Sequence, residues 1–307
     1  MPTFEHLLAN QIERASRRIV WQTPMEKRNS VAGLYENLGD YTRPGGVVFH
    51  GLGLARGKSG GLIVEAYAQC APSDRVRARR SVAALLGIPA GAVSVVPCWG
   101  FHPSVGMGEP GAHYALANQD RFGTIGGFAA DLESSLILAV SNNHVFADNN
   151  RGRLHDPLLD ATGQFGGLVR FPPLLQPPAV NVLDGAVGWI GDGHVIAAPV
   201  SASGTRPATR GLRVKKFGAA SGHTTGVVVA TVATATVPYD GLGSVNFRRC
   251  LRIEGDGGPF SVPGDSGSLV LDSRNAVVGI IFAGDETGGY SLANPVDALT
   301  GLLNIAF

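Results

Sequence analysis

The segment Pro263-Gly264-Asp265-Ser266-Gly267-Ser268-Leu269-Val270 places a serine in a glycine-rich turn that leads into an apolar run. A serine hydroxyl becomes a good nucleophile when a neighbouring imidazole accepts its proton. The glycines let the backbone bend so that N–H groups converge on one point, where they can stabilise a developing oxyanion. By position, these donors are the N–H groups of Gly264 and Ser266. The segment therefore predicts a nucleophilic serine in a turn before a strand.

Two segments upstream supply the partners that such a serine needs. Ser141-Asn142-Asn143-His144-Val145 ends an apolar run with a histidine, and Val182-Leu183-Asp184-Gly185-Ala186-Val187 starts one with an acid. An imidazole that accepts a serine proton needs a carboxylate on its other ring nitrogen, which fixes the tautomer and stabilises the imidazolium. The sequence therefore predicts a catalytic triad of His144, Asp184 and Ser266.

The order of these residues separates the serine-hydrolase folds. An α/β-hydrolase carries its histidine after the serine, whereas all eight histidines of this chain precede Ser266. A subtilisin order needs an acid before the histidine; Asp131 is available, but the many short strands oppose that fold. After these two folds are set aside, the order that remains is His144, Asp184, Ser266. The eight are His6, His50, His102, His113, His144, His155, His194 and His223.

Short apolar runs separated by turn residues recur from about residue 104 onward. Such regular runs predict β-barrels or a sandwich, and the 43 glycines and 19 prolines suit the many turns between strands. A stretch rich in Ser, Ala, Pro and Gly over 197–211 predicts a linker between two halves, and 295–305 predicts a closing helix. The runs are Thr124–Ala130, Leu136–Val140, Gly166–Phe171, Val182–Ile190, Leu212–Phe217, Gly226–Val237, Val245–Ile253, Ser268–Leu271, Ala276–Ala283 and Gly289–Ala293.

The N-terminal third has a different pattern. Residues 4–20 carry apolar positions at helical spacing, and a strand-strand-helix-strand series follows. Together they predict a small α+β (β-β-α-β, ferredoxin-like) domain over 1–103, ahead of a second domain over 104–307. The series is Val47–Leu54, Gly61–Ala68, Ser73–Leu86 and Ala92–Val96.

The three motifs in the second domain resemble those of trypsin-like serine peptidases of the chymotrypsin fold, of the intracellular bacterial type. Gly264–Ser268 resembles the serine signature of that family, the segment around His144 its histidine signature, and Gly279–Gly284 the strand that lines its substrate pocket. The resemblance implies a mainly β, chymotrypsin-like double β-barrel that hydrolyses peptide bonds through an acyl-enzyme. Asp156 and Asp160 also follow His144, but apolar residues follow Asp184 as in the acid-bearing strand of that family.

The resemblance also implies a substrate pocket. Phe260, six residues before Ser266, takes the place of the pocket base, and Phe282, Ala283 and Gly284 form the wall. This pocket predicts a preference for small or apolar side chains, which Asp285 and Glu286 would reverse if their loop folds inward. Asp265 is expected to hold the oxyanion loop. The chain shows no Arg-Ile-Val-Gly-type cleavage site before the barrel, so we expect activity without that cleavage.

Composition narrows the remaining function classes. The 307 residues are 44% hydrophobic and 16% charged, which excludes an intrinsically disordered chain. The net charge of +1 does not predict a basic surface for binding nucleic acid. Cys70, Cys98 and Cys250 predict neither a disulfide framework nor a zinc site. With no signal peptide or membrane span expected, the sequence predicts a cytoplasmic protein without cofactor or metal.

Two expectations concern partners. A protein or peptide is expected as the substrate, and the N-terminal domain is expected to dock a regulatory partner or to gate the cleft. The expectation for the N-terminal domain rests on its α+β pattern, which differs from that of the second domain, and on the basic residues of its helix (Arg75, Arg77, Arg79 and Arg80). The alternative function is a catalytically silent module that uses the same cleft to bind peptides.

Overall fold

A computed structural model shows a chain built mainly of β-strands. It describes residues 8–12, 47–57, 61–98, 101–103, 114–118, 121–134, 136–160, 163–191, 201–285 and 287–307. Of the helix expected over 4–20, residues 8–12 are helical and the rest lie outside these ranges. Among the described residues, no helix is long and apolar enough to cross a bilayer.

The N-terminal unit follows the predicted strand-strand-helix-strand series. Strand β1 (Val48–Arg56) pairs with the antiparallel strand β2 (Leu62–Gln69), and helix α1 (Arg75–Leu86) carries the chain to β3 (Val93–Pro97), which runs parallel to β2. The helix ends at Gly87, whose φ of 67° is a left-handed conformation that glycine adopts without strain. Apolar side chains of α1 pack on the sheet and form the core of this unit.

A six-stranded antiparallel sheet follows a short strand β4 (Phe101–Pro103) and a hairpin. The hairpin consists of β5 (Tyr114–Asn118) and β6 (Arg121–Thr124). The sheet strands are β7 (Gly127–Asp131), β8 (Ile137–Ser141), β9 (Pro157–Asp160), β10 (Gly163–Arg170), β11 (Ala186–Ile190) and β18 (Ile305–Ala306). Their order in the sheet is β18-β7-β8-β11-β10-β9, and a one-turn helix α2 (Asn143–Phe146) follows β8.

A second six-stranded unit closes on itself as an antiparallel barrel. Its strands are β12 (Arg213–Gly218), β13 (Gly222–Tyr239), β14 (Gly243–Gly255), β15 (Leu269–Leu271), β16 (Val277–Asp285) and β17 (Ser291–Pro295). They pair in the order β12-β15-β16-β17-β14-β13, and β13 pairs back with β12. Helix α3 (Val296–Leu303) follows β17 and matches the predicted closing helix.

The predicted fold class, mainly β with a small α+β unit in front, is confirmed. Each predicted strand overlaps a strand of the structure, with ends shifted by up to four residues, and β4, β5, β9 and β18 lie outside the predicted runs. In the stretch expected to be a linker, residues 201–211 are described, and Thr205 forms a β-bridge with Val277.

Two pairings join the N-terminal unit to the closed barrel. Strand β1 adds to the edge of β13, with Gly53 opposite Ala233, so one sheet continues from the barrel into the N-terminal unit. Strand β4 pairs with the end of β16. The boundary at residue 103 stays a prediction, and β4 lies at this boundary.

Candidate active site

His144 and Asp184 meet because the strands that carry them are neighbours. Strand β8 ends directly before α2, which holds His144, and Asp184 lies two residues before β11; the two strands pair with Ala186 opposite Ser141. His144 Nδ1 lies 2.5 Å from Asp184 Oδ2, and the His144 backbone N–H donates to Asp184 Oδ1 at 3.3 Å. Both residues are buried. The carboxylate therefore holds the imidazole by Nδ1 and directs Nε2 away from itself.

The position of Asp184 is fixed by three further hydrogen bonds. Its backbone N–H donates to Asn294 Oδ1 at 2.8 Å, and its carbonyl accepts from Asn142 Nδ2 at 2.6 Å. The Tyr239 hydroxyl donates to Asp184 Oδ2 at 2.7 Å. Asp156, an alternative from the sequence, instead accepts the N–H of Arg153 at 2.8 Å.

Tyr239 is a site residue that the sequence did not reveal. It ends the long strand β13 of the closed barrel and reaches across to the carboxylate of the other β unit. Burial, and then the charge of Asp184, raise the pKa of Tyr239 well above its ordinary value of 10.0. The phenol therefore stays protonated and remains a hydrogen-bond donor.

Ser266 lies in the tight turn before β15. Gly264 and Gly267 have φ values of 105° and 96°, a left-handed region that glycine adopts freely. Thr124 N–H donates to the Ser266 carbonyl at 2.6 Å, which ties the turn to β6. A Cβ on Gly123 would lie 2.4 Å from Val145 Cγ2 and 3.1 Å from the Ser266 carbonyl oxygen. Gly123 therefore lies against both the turn and the residue next to His144.

The Ser266 hydroxyl is turned toward a carbonyl rather than toward the imidazole. Its Oγ donates to the Phe282 carbonyl at 3.2 Å, and within the described part of the chain His144 Nε2 has no hydrogen-bond partner. The serine–histidine hydrogen bond of a working triad is thus not formed in this conformation. Such bonds are often formed only when substrate is bound.

The N–H groups of Gly264 and Ser266 stay predicted oxyanion donors. Neither the Gly264 nor the Ser266 N–H donates a hydrogen bond to another described residue. The peptide bond between Gly264 and Asp265 is fixed in orientation, because the Gly264 carbonyl accepts a hydrogen bond from the Thr124 hydroxyl at 2.9 Å. A Cβ at Gly264 would lie 2.7 Å from the Phe122 ring and 2.8 Å from Ala220 Cβ, so only glycine fits this turn.

Asp265 holds the turn from beneath. Its carboxylate accepts the N–H groups of Ala220, Ser221 and Val262 at 3.1, 3.0 and 2.9 Å, and the Ser221 hydroxyl at 2.6 Å. The Lys216 ammonium lies 3.0 Å from Oδ2, and both side chains are fully buried. Through these contacts Asp265 can hold the loop, which is the role expected from the sequence.

Lys216 is a second residue that the sequence did not reveal. Its side chain is fully buried, and it also donates to the Ser221 hydroxyl at 2.5 Å. Burial lowers its pKa below the ordinary value of 10.5, and Asp265 opposes this effect. A signal was present in strand β12, because Val214 and Lys216 are two residues apart and therefore share the inward face.

The structure places the predicted pocket residues in two locations. Phe282 and Ala283 are buried in β16, and the Phe282 ring lies 4.7 Å from that of Phe247. Phe260 lies instead within an apolar cluster of the closed barrel. Its role at the pocket base stays a prediction, as does the role of the wall residues.

Asp285, which could alter the pocket, faces its own loop. Its carboxylate accepts the Thr287 hydroxyl and, at 3.3 Å, the N–H of Gly289. Glu286 lies outside the described residues.

Metal ligands and disulfides are the remaining features of the site chemistry. Within the described ranges, no group of three or more His, Cys, Asp or Glu side chains lies together as a metal site would require. Cys70, Cys98 and Cys250 form no disulfide with one another.

The comparisons with known proteins return bacterial proteases among solved structures. They include a chymotrypsin of Cellulomonas bogoriensis (20% identity, 64% of this chain and 95% of that one, TM-score 0.44), protease A of Thermobifida fusca (18%, 64% and 95%, 0.46) and the Nocardiopsis protease NAPase (19%, 64% and 96%, 0.47). No family model and no curated protein matches the sequence. By its own topology, with His144 and Asp184 on one six-stranded antiparallel unit and Ser266 on the other, the chain has the chymotrypsin-like fold predicted from its sequence.

Proposed function

We propose that the chain is a serine endopeptidase. The observation that carries the proposal is the buried pair of His144 Nδ1 and Asp184 Oδ2, 2.5 Å apart, with His144 Nε2 left without a partner among the described residues. An imidazole held by Nδ1 offers Nε2 as a general base. The Ser266 turn and Val145, the residue after His144, both lie against Gly123, and two N–H groups of that turn have no hydrogen-bond partner among the described residues.

The chemistry assigned to these residues is acyl transfer. Ser266 Oγ attacks the peptide carbonyl carbon while its proton passes to His144 Nε2, and Asp184 stabilises the imidazolium. The oxyanion accepts hydrogen bonds from the Gly264 and Ser266 N–H groups, each donor being worth about 3–4 kcal/mol. The C–N bond then breaks, and the leaving amine takes the proton from Nε2. Water, activated by the same imidazole, hydrolyses the acyl-enzyme and restores the serine.

A second candidate, a catalytically silent peptide-binding module, is favoured by one observation. The Ser266 hydroxyl bonds to the Phe282 carbonyl instead of to His144. In the active enzyme this hydroxyl must rotate toward Nε2. In a silent module it would keep its present partner, and the serine would not become reactive.

Labelling with a fluorophosphonate distinguishes the two functions, because it requires an activated serine. We expect mass spectrometry to find the label on Ser266 and none on Ser266→Ala. His144→Ala is expected to react at least a hundredfold more slowly, since general-base catalysis contributes about 10²–10⁴. The exposed residues Ser203 and His155 provide matched controls, and Ser203→Ala and His155→Ala should react at the wild-type rate.

The outcome against the proposal is equally defined. The chain is not a serine peptidase if Ser266 acquires no label either in the wild type or in a His102→Pro variant whose strand β4 (Phe101–Pro103) has been released, as judged by faster hydrogen exchange. As part of the same proposal, the substrate is a protein or peptide. The protein works in the cytoplasm, a reducing compartment that suits a chain whose three cysteines form no disulfide with one another.

A further inference from the structure

We propose that the chain inhibits itself, because strand β4 occupies the edge of β16 on which a peptide substrate must lie. The inference rests on the proposed peptidase function. A substrate would then have to displace a strand of the same chain before it could reach Ser266.

The position of β4 carries the first part of the argument. Pro103, His102 and Phe101 pair with Ala283, Gly284 and Asp285. The residue before this paired segment is Phe282, whose carbonyl lies 3.2 Å from Ser266 Oγ. An extended peptide binds a sheet by adding a strand to a free edge, and here that edge is already paired. The opposite edge of the same segment is paired with β17.

The direction of β4 agrees with the direction that a substrate needs. The pairing is antiparallel, so the chain advances from Asp285 toward Phe282 as it runs from Phe101 to Pro103. The acyl part of a peptide substrate also runs from its N-terminus toward the carbonyl that the serine attacks. Strand β4 therefore approaches Ser266 with the polarity of the acyl part of a substrate.

The closed state of the site is an independent observation. Ser266 has no exposed surface and His144 is 3% exposed, while His144 Nε2 is buried without a partner in the described part of the chain. An enzyme that cleaves other proteins must bring its nucleophile into contact with them. The site must therefore open before an external chain can bind.

The N-terminal unit holds β4 in place. Leu52 N–H donates to Thr234 Oγ1 at 3.0 Å, where β1 meets β13. The Tyr290 hydroxyl donates to the Pro97 carbonyl at 3.3 Å, four residues before β4 begins. A strand tethered in this way competes with substrate at a high effective concentration, although it has only three paired residues.

A proline in β4 tests the inference in the full-length chain. Proline has no N–H, so a paired strand tolerates it only where the N–H would point away from the neighbouring strand. Pro103 therefore occupies such a position. Because facing alternates along a strand, the N–H of His102 faces Gly284. His102→Pro removes this donor, whereas the matched control His102→Ala keeps it.

Two readouts are measured on each variant. Hydrogen–deuterium exchange of the amides at 283–285, measured in a Ser266→Ala background, reports the pairing without any need for activity. Cleavage of fluorescein-labelled casein reports access to the site. We expect His102→Pro to speed both, cleavage by about tenfold, because apparent affinity rises as the open fraction rises. His102→Ala should behave as the wild type.

The outcomes separate the two proposals. Faster exchange with casein cleavage still at the wild-type rate would overturn self-inhibition and leave the peptidase proposal standing. Faster exchange with neither casein cleavage nor fluorophosphonate labelling in any variant would refute the peptidase proposal, and self-inhibition with it.

A cross-link decides the case in which proline fails to release the strand. Phe101 lies opposite Asp285. Because hydrogen-bonded and non-hydrogen-bonded pairs alternate along an antiparallel ladder, this pair is of the non-hydrogen-bonded type, whose Cα spacing of about 4.5 Å suits a disulfide. In a Cys70→Ser background, oxidised Phe101→Cys/Asp285→Cys should cleave casein at least tenfold more slowly than the same protein after reduction. Neither single cysteine variant should respond to reductant. Equal rates in the oxidised and reduced double variant would overturn the inference.

Discussion

The Asp184 carboxylate receives hydrogen bonds from both β units, from the His144 ring on one side and from the Tyr239 hydroxyl on the other. A hydroxyl donor fixes the orientation of the carboxylate that holds the ring. At the scale of single residues, Tyr239 is therefore a positioning residue that acts on His144 through Asp184.

Removal of the Tyr239 hydroxyl should slow the chemical step. Tyr239→Phe deletes one hydrogen bond to Asp184 Oδ2, worth about 0.5–1.5 kcal/mol, so the carboxylate that orients His144 is held less firmly. We expect kcat to fall by about three- to tenfold with KM unchanged, because the lost bond does not touch the substrate. Thr236→Val is the control: it removes a hydroxyl of the same strand that bonds to Asn246, and it should leave kcat unchanged. An unchanged kcat in Tyr239→Phe would contradict this role.

Lys216 and Asp265 form the second pair that acts at the residue scale. Removing one member of a buried ion pair leaves the other charge uncompensated, at a cost of about 3–5 kcal/mol. Lys216→Met and Asp265→Asn should each lower the free energy of unfolding in urea by this amount. The double variant should lose at least about 1 kcal/mol less than the sum, because the residues couple directly. Additive losses would show that the pair has no coupling.

At the scale of elements, glycine allows β1 and β13 to come together. A Cβ on Gly51 would lie 1.9 Å from the Thr234 carbonyl oxygen, and one on Gly53 would lie 2.2 Å from the Tyr67 hydroxyl. A side chain at Gly51 would push β1 away from the barrel, whereas one at Gly53 would collide with β2 of its own unit. The joint between the two units therefore depends on Gly51.

Gly51→Ala should destabilise the protein by about 1–3 kcal/mol, the usual cost of overpacking. Urea unfolding measures the loss, and hydrogen exchange should locate it at the β1–β13 contact. Gly91→Ala is the matched control in the same unit, because nothing lies within 4 Å of a Cβ there. Equal stability of the two variants would mean that β1 does not pack against β13 in solution.

At the scale of the whole molecule, Arg252 binds the N-terminal unit to the barrel from strand β14. Its Nε lies 3.3 Å from Glu65 Oε2, and its guanidinium lies 5.6 Å from the ring centre of Tyr67 and 4.8 Å from that of Tyr290. Burial raises the pKa of Glu65, and the charge of Arg252 opposes that rise. The arginine thus neutralises an acid that the other unit buries.

Arg252→Met should cost about 3–5 kcal/mol, because Glu65 then remains buried without its cation. Arg249→Met in the same strand is the control: Arg249 pairs with Asp297 at the surface, and exposed pairs contribute about 0–1 kcal/mol. Chemical denaturation of both variants measures the difference. If Arg252→Met loses no more than Arg249→Met, the two units are not joined through this cluster.

Most of the strands, the turn around Ser266 and the order of His144, Asp184 and Ser266 could be predicted from the residues, because alternation, glycine in turns and motif order are local properties of the chain. The folded molecule was needed to find Tyr239 on Asp184, which is 55 residues away, and Lys216 beneath the turn. It was also needed to find the pairing of β4 with β16. These contacts depend on how two β units close against each other, and nothing in the local pattern of either strand specifies which distant segment lies beside it.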